Sequence, residues 1–130
     1  MTDEFIPVNI PLLNGRELLL IEECINTGWI SSEGSFVSRF EHEFSLSVNR
    51  QYGIAVANGS AALDIAIAAL GIGEGDEVIL PTHTIISCAA SIVRAGARPV
   101  LVDSCPLTWN MDIDQIEEKI NSNTKAIMMV

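Results

Sequence analysis

The sequence predicts an α/β fold in which helices cover a parallel or mixed sheet, and three observations carry the prediction. From Tyr52 onward, short apolar runs alternate with longer helical stretches, the pattern of strands joined by helical crossovers. The runs Gly53–Ala57, Glu77–Leu80, Pro99–Val102 and Lys125–Val130 are short and, after the leading Glu77 and Lys125, continuously apolar in the manner of buried strands. Gly71 and Gly96 stand where the intervening helices must stop. With 130 residues, 48% of them hydrophobic, the chain is long enough for one domain with a core.

The first stretch, 1–50, reads as a helical segment, and 51–130 as the opening of an α/β domain. Asn14 and Glu17 have the spacing of a capping pair, Leu18, Ile21 and Ile25 share a helix face, and Gly28 marks its end. After the loop Trp29-Ile30-Ser31-Ser32-Glu33-Gly34, a second helix is predicted from Phe36, Val37, Phe40 and Phe44, with the phenylalanines in the core. Trp29 is read as a core plug, with a wall against a ligand as its alternative.

In the second stretch, strand Ile54–Ala57 is expected to feed a helix over Ala61–Leu70, and strand Glu77–Leu80 a helix from about Thr84 to Arg94. Strand Pro99–Val102 follows. Asp112 and Gln115 resemble a capping box variant opening a helix through Ile113, Ile116, Glu117 and Ile120. The last run, Lys125–Val130, is expected to be a strand buried on both faces with further structure after it. The chain therefore reads as the N-terminal part of a larger α/β protein.

Composition removes several function classes. Seventeen acidic residues against seven basic ones leave a net charge of −10, which opposes binding to nucleic acid or to an anionic membrane surface. Cys24, Cys88 and Cys105 form no disulfide or zinc pattern and fit a reducing cytoplasm. No apolar run is long enough to span a bilayer, and the N-terminus lacks a basic leader. His42 and His83 have no partner at metal-ligand spacing, so no metal is expected.

The chemistry concentrates at Asn58-Gly59-Ser60-Ala61-Ala62-Leu63, a polar turn between an apolar run and an apolar helix. Free amides at a helix N-terminus attract an anion, Gly59 admits close backbone approach, and Ser60 adds a hydroxyl. An ordinary N-cap would explain the same residues. His83, in Pro81-Thr82-His83-Thr84, follows a predicted strand on the edge where open α/β sheets place ligands; a solvated or structural histidine is the alternative. Asp103 and Ser104 are accounted for as turn chemistry. Gly71-Ile72-Gly73-Glu74-Gly75 follows a helix and precedes a strand, the reverse of a dinucleotide loop. Cys88 and Cys105 have no identified base to make a thiolate nucleophile.

In order along the chain, Ile6-Pro7-Val8, Thr27–Gly34, Asn58–Leu63, Gly75–Thr82, Gly96–Asp103 and Thr124–Ile127 resemble blocks of the DegT/DnrJ/EryC1/StrS sugar aminotransferase family. The Trp-Ile-Ser-Ser block is similar to the branch containing GDP-perosamine synthases. The resemblance implies a fold-type-I pyridoxal-phosphate enzyme, here the N-terminal part of its large domain with a mostly parallel sheet. It further implies a cytoplasmic homodimer that moves an amino group from glutamate to a keto sugar, free or nucleotide-linked, in amino-sugar and polysaccharide biosynthesis. Gly59 and Ser60 match the positions that hold the pyridoxal 5'-phosphate phosphate, with Asn58 shaping the turn. Ile85 stands where relatives carry an aromatic ring stacked on the cofactor, and Trp29, Ser31, Ser32 and His83 fall beside the substrate. The Schiff-base lysine is expected beyond Val130, so no catalytic residue lies in this chain, and neither Lys119 nor Lys125 replaces it. A sugar dehydratase of the same fold and a non-catalytic fragment are the alternatives.

Overall fold

The computed structural model describes residues 5–130, which form two compact units, one reaching Ala55 and the other spanning Val56–Val130. In the first unit, α1 (Glu17–Thr27) ends on Gly28, whose φ of 75° is the left-handed conformation expected of a glycine stop. The Asn14 cap does not form. Arg16 occupies the cap position without a side-chain bond. Glu17 instead accepts from the Gly15 N–H at 2.9 Å, not from the Asn14 N–H that a capping box would engage.

The second helix, α2 (Ser35–Ser47), follows the predicted phenylalanine spacing. Its phenylalanines do not form a core: Phe40 and Phe44 are each more than half exposed and pair with one another at 5.6 Å. Among the described residues of this unit the ring pair has no opposing layer to bury it. Trp29, expected to plug the core, is also about half exposed.

The predicted strand over Ile54–Ala57 is extended backbone without a ladder partner among the described residues, and Ile54 is exposed. A strand exists only where a neighbour completes its hydrogen bonds. Here the Ala55 N–H donates to the Glu41 side chain of α2 at 2.8 Å. Gly53 lies so close to this helix that a Cβ would stand 2.5 Å from the Glu41 carbonyl oxygen.

The second unit contains α3 (Gly59–Ala69), β1 (Glu77–Pro81), α4 (Ile86–Arg94), β2 (Arg98–Val102), a 3₁₀ turn (Ile113–Gln115) continuing into α5 (Ile116–Lys119), and β3 (Thr124–Ile127). The strands form a parallel sheet in the order β2-β1-β3. Central β1 is buried throughout. On one face Val78 and Leu80 pack with Ile67, Ile72, Cys88, Ile92 and Ala97; on the other, Ile79 packs with Val102 and Met111. Such alternation in an uninterrupted apolar run is how one strand serves two cores. β3 lies at an edge of this sheet and is only half buried, not covered on both faces as expected.

Helix stops agree with the sequence at Gly71 (φ 68°) and Gly96 (φ 83°). The α4 helix begins at Ile86, two residues later than the predicted Thr84, with Ile85 extended at its cap. Asp112 does cap the following element, accepting from the Asp114 N–H at 3.2 Å and from the Gln115 side-chain amide at 2.7 Å. That element opens as a 3₁₀ turn and ends at Lys119, with Ile120 already extended. Among the described residues no helix is long and apolar enough to cross a membrane.

Candidate functional site

Parallel strands bring their C-terminal ends to one edge of the sheet, and two cavities form from residues near it. The first, of about 400 Å³, is lined by Gly59, Ser60, Ala62, Leu63, Ile85 and Ser87. It sits against the start of α3. Asn58 caps this helix, its Oδ1 accepting from the Ala61 N–H at 2.9 Å, while the Ala62 N–H donates to the Asn58 carbonyl at 3.1 Å. The amides of Gly59 and Ser60 remain without a partner among the described residues, as the first amides of a helix do.

The capping reading of Asn58-Gly59-Ser60 is realised: Asn58 satisfies one amide and leaves those of Gly59 and Ser60 without a partner among the described residues. A Cβ at Gly59 would meet nothing within 4 Å, so the backbone there is open to close approach. Ser60 Oγ and Ser87 Oγ share a hydrogen bond of 2.8 Å. Two hydroxyls, two amides and the positive end of an eleven-residue helix are groups of the kind that attract a small anion. Ile85 supplies an apolar wall of the same cavity, where an aromatic ring would have offered a stacking face. Sequence reasoning missed Ser87; its position in the first turn after a strand end was the available signal.

His83 does not line this cavity. It belongs to a second one, of about 410 Å³, formed with Thr82, Asp103, Ser104, Pro106 and Trp109. Its ring lies 5.7 Å from that of Trp109, at 57° between planes. Asp103 Oδ1 accepts from the Ser104 N–H at 2.7 Å and from Thr82 Oγ1 at 3.2 Å. The turn chemistry assigned to Asp103 and Ser104 is present, and it also builds this wall. Trp29, Ser31 and Ser32 lie in the loop between α1 and α2, in the first unit. Neither lysine lines either of these two cavities: Lys119 ends α5, and Lys125 lies in β3 with its Nζ 4.0 Å from Asp76.

Three comparisons bear on this geometry. The sequence pattern of the DegT/DnrJ/EryC1/StrS aminotransferase family matches residues 11–130. The GDP-perosamine synthase of Escherichia coli O157:H7 is 46% identical over 127 residues, covering 98% of this chain and 35% of that protein. Spr1654 of Streptococcus pneumoniae, solved in its PLP form, superposes with a TM-score of 0.86 at 32% identity, over 94% of this chain and 31% of that one. A GDP-4-keto-6-deoxymannose-3-dehydratase gives 0.85 at 26% identity, over 95% and 33%. The chain thus spans about a third of the length of the relatives it matches.

Proposed function

The chain belongs to the DegT/DnrJ/EryC1/StrS aminotransferase family, and from that premise we propose that it supplies the cofactor-phosphate seat of a pyridoxal-phosphate-dependent sugar aminotransferase. The observation that carries this reading is the cavity at the start of α3, where the Gly59 and Ser60 amides and the Ser60–Ser87 hydroxyl pair converge beside Ile85. The fit is chemical: a phosphate dianion needs several N–H and O–H donors and space for close approach, and both are present. Pyridoxal phosphate, when bound, supplies an electron sink for the carbon next to the transferred nitrogen.

In this reading Gly59 and Ser60 hold the phosphate, Asn58 keeps the turn in shape, and Ile85 covers one ring face by apolar contact. Without an aromatic partner that face forgoes the roughly 0.5–1.5 kcal/mol that ring stacking adds beyond burial. His83 borders the substrate, and Trp29, Ser31 and Ser32 are assigned to the substrate on the family resemblance. The reaction moves an amino group from glutamate to a nucleotide-linked keto sugar within a homodimer, and the stretch 51–130 opens the large domain. The 46% identity to a GDP-perosamine synthase favours a GDP-linked sugar.

Equilibrium dialysis with pyridoxal phosphate tests the seat. Gly59→Val projects a side chain into the space the phosphate needs, and Ser60→Ala removes a donor; each is expected to weaken binding by about tenfold or more. Unchanged affinity in both, with helical content retained by circular dichroism, would place the seat elsewhere. A dehydratase of the same fold is the second reading, supported by the TM-score of 0.85 to such an enzyme. An aminated sugar product favours the first reading, and a deoxygenated one the second.

A further inference from the structure

The hydroxyl of Ser87 does not do what other serines of α2 and α4 do. Ser45, Ser47 and Ser91 each donate to a carbonyl three residues back, at 2.9, 2.7 and 2.9 Å, the local bond open to a helical serine. Ser87, in the first turn of α4, instead meets Ser60 in α3, with 2.8 Å between the two oxygens. Each hydroxyl carries one proton and two lone pairs, so either oxygen can be the donor. The pair is partly buried and lines the cavity at the start of α3. The other lining residues, Gly59, Ala62, Leu63 and Ile85, bring neither a charge nor a further side-chain donor.

We propose that Ser87 is a positioning residue of this seat: its hydroxyl donates to Ser60 Oγ and thereby turns the Ser60 proton toward the cofactor phosphate. The inference rests on the function proposed above and adds to it a residue that acts through another. A phosphate dianion accepts hydrogen bonds and does not donate them. Ser60 carries its hydroxyl beside the free Gly59 and Ser60 amides, so an anion on those amides is met by Ser60 before Ser87. Ser60 can donate to that anion and keep its bond to Ser87 only when Ser87 is the donor between them. The opposite direction commits the Ser60 proton to Ser87 and presents the anion with a lone pair. Because no lysine or arginine lines the cavity, hydroxyls and amides carry the stabilisation, and the apolar surroundings of Ala62, Leu63 and Ile85 strengthen each bond in such a chain.

Two readouts on the full chain test this role: affinity for pyridoxal phosphate by equilibrium dialysis, and the ³¹P resonance of the bound cofactor followed against pH, with urea midpoints checking that each variant is folded. Ser87→Ala should weaken binding by about three- to tenfold, the range for loss of one hydrogen bond. Ser87→Thr keeps the hydroxyl and should bind as the parent does. Donors aimed at the dianion lower the phosphate pKa, so the ³¹P midpoint should rise in Ser87→Ala and return in Ser87→Thr, a response that lost packing alone does not produce. In a Ser60→Ala background, Ser87→Ala should cost nothing further, because the hydroxyl through which it acts is gone. Parent-like affinity in Ser87→Ala, an equal loss in the Ser60→Ala background, or an unmoved ³¹P midpoint overturns the proposal. Gly59→Val and Ser60→Ala, dialysed alongside, separate it from the reading it rests on. If they weaken binding and Ser87→Ala does not, the role of Ser87 alone falls; if none of the three does, or the parent itself does not bind, the seat falls and this role with it.

Discussion

Glu77 is an acidic residue at the first position of a fully buried strand, with 3% of its surface exposed. Its charge is tolerated because both oxygens are engaged: Oε1 pairs with the Arg98 guanidinium, and Oε2 accepts from the Asn121 side-chain amide at 2.8 Å. The Asn121 bond first, then that from Arg98, holds the carboxyl below its ordinary range, against the opposing effect of burial. Since the folded value is the lower one, Glu77 stabilises the fold fully above the unfolded carboxylate range, near about pH 4.3, and loses that contribution as pH falls through the folded value. Glu77→Gln is expected to lower the urea midpoint at neutral pH, with the gap from the parent closing on acidification. A gap independent of pH would mean that packing, not charge, accounts for the effect.

The elements most legible in the sequence are those fixed by local chemistry. The apolar run Val78–Leu80 announced β1, and the stops at Gly28, Gly71 and Gly96 follow from a backbone that left-handed geometry reserves for glycine. Gly96→Ala should therefore cost about 1 kcal/mol, since its φ of 83° is strained for a residue with a Cβ although the space beside it is ordinary; chemical denaturation measures it. What the sequence concealed depends on distant partners. Ile54–Ala57 has strand composition, but the bond that fixes Ala55 comes from Glu41 in α2. Ser60 was visible as a donor, while its partner Ser87 arrives from α4 across 27 residues. Trp109 gave no local sign of its left-handed backbone because the loop that imposes it closes through Ser104 and Met111.

Across the molecule, apolar side chains remain widely exposed on α1 and α2 and on the run from Phe5 to Leu13, while the net charge of −10 opposes non-specific association of like-charged copies. The parallel sheet also divides the second unit lengthwise. The Glu77, Arg98 and Asn121 cluster lies at the N-terminal ends of β1 and β2, and the residues that follow their C-terminal ends help line the cavities. The four residue-to-residue steps from Glu77 to Pro81 separate the two ends by roughly 13 Å, beyond the range at which substitutions usually interact. Glu77→Gln and Ser60→Ala combined should therefore show the stability loss of the first and the cofactor-affinity loss of the second, each the same as in the single variant; a double-mutant cycle measures the difference. The direction of the strands thereby makes durability and recognition separately adjustable: one end of the sheet can change how long the fold lasts without altering what the other end binds.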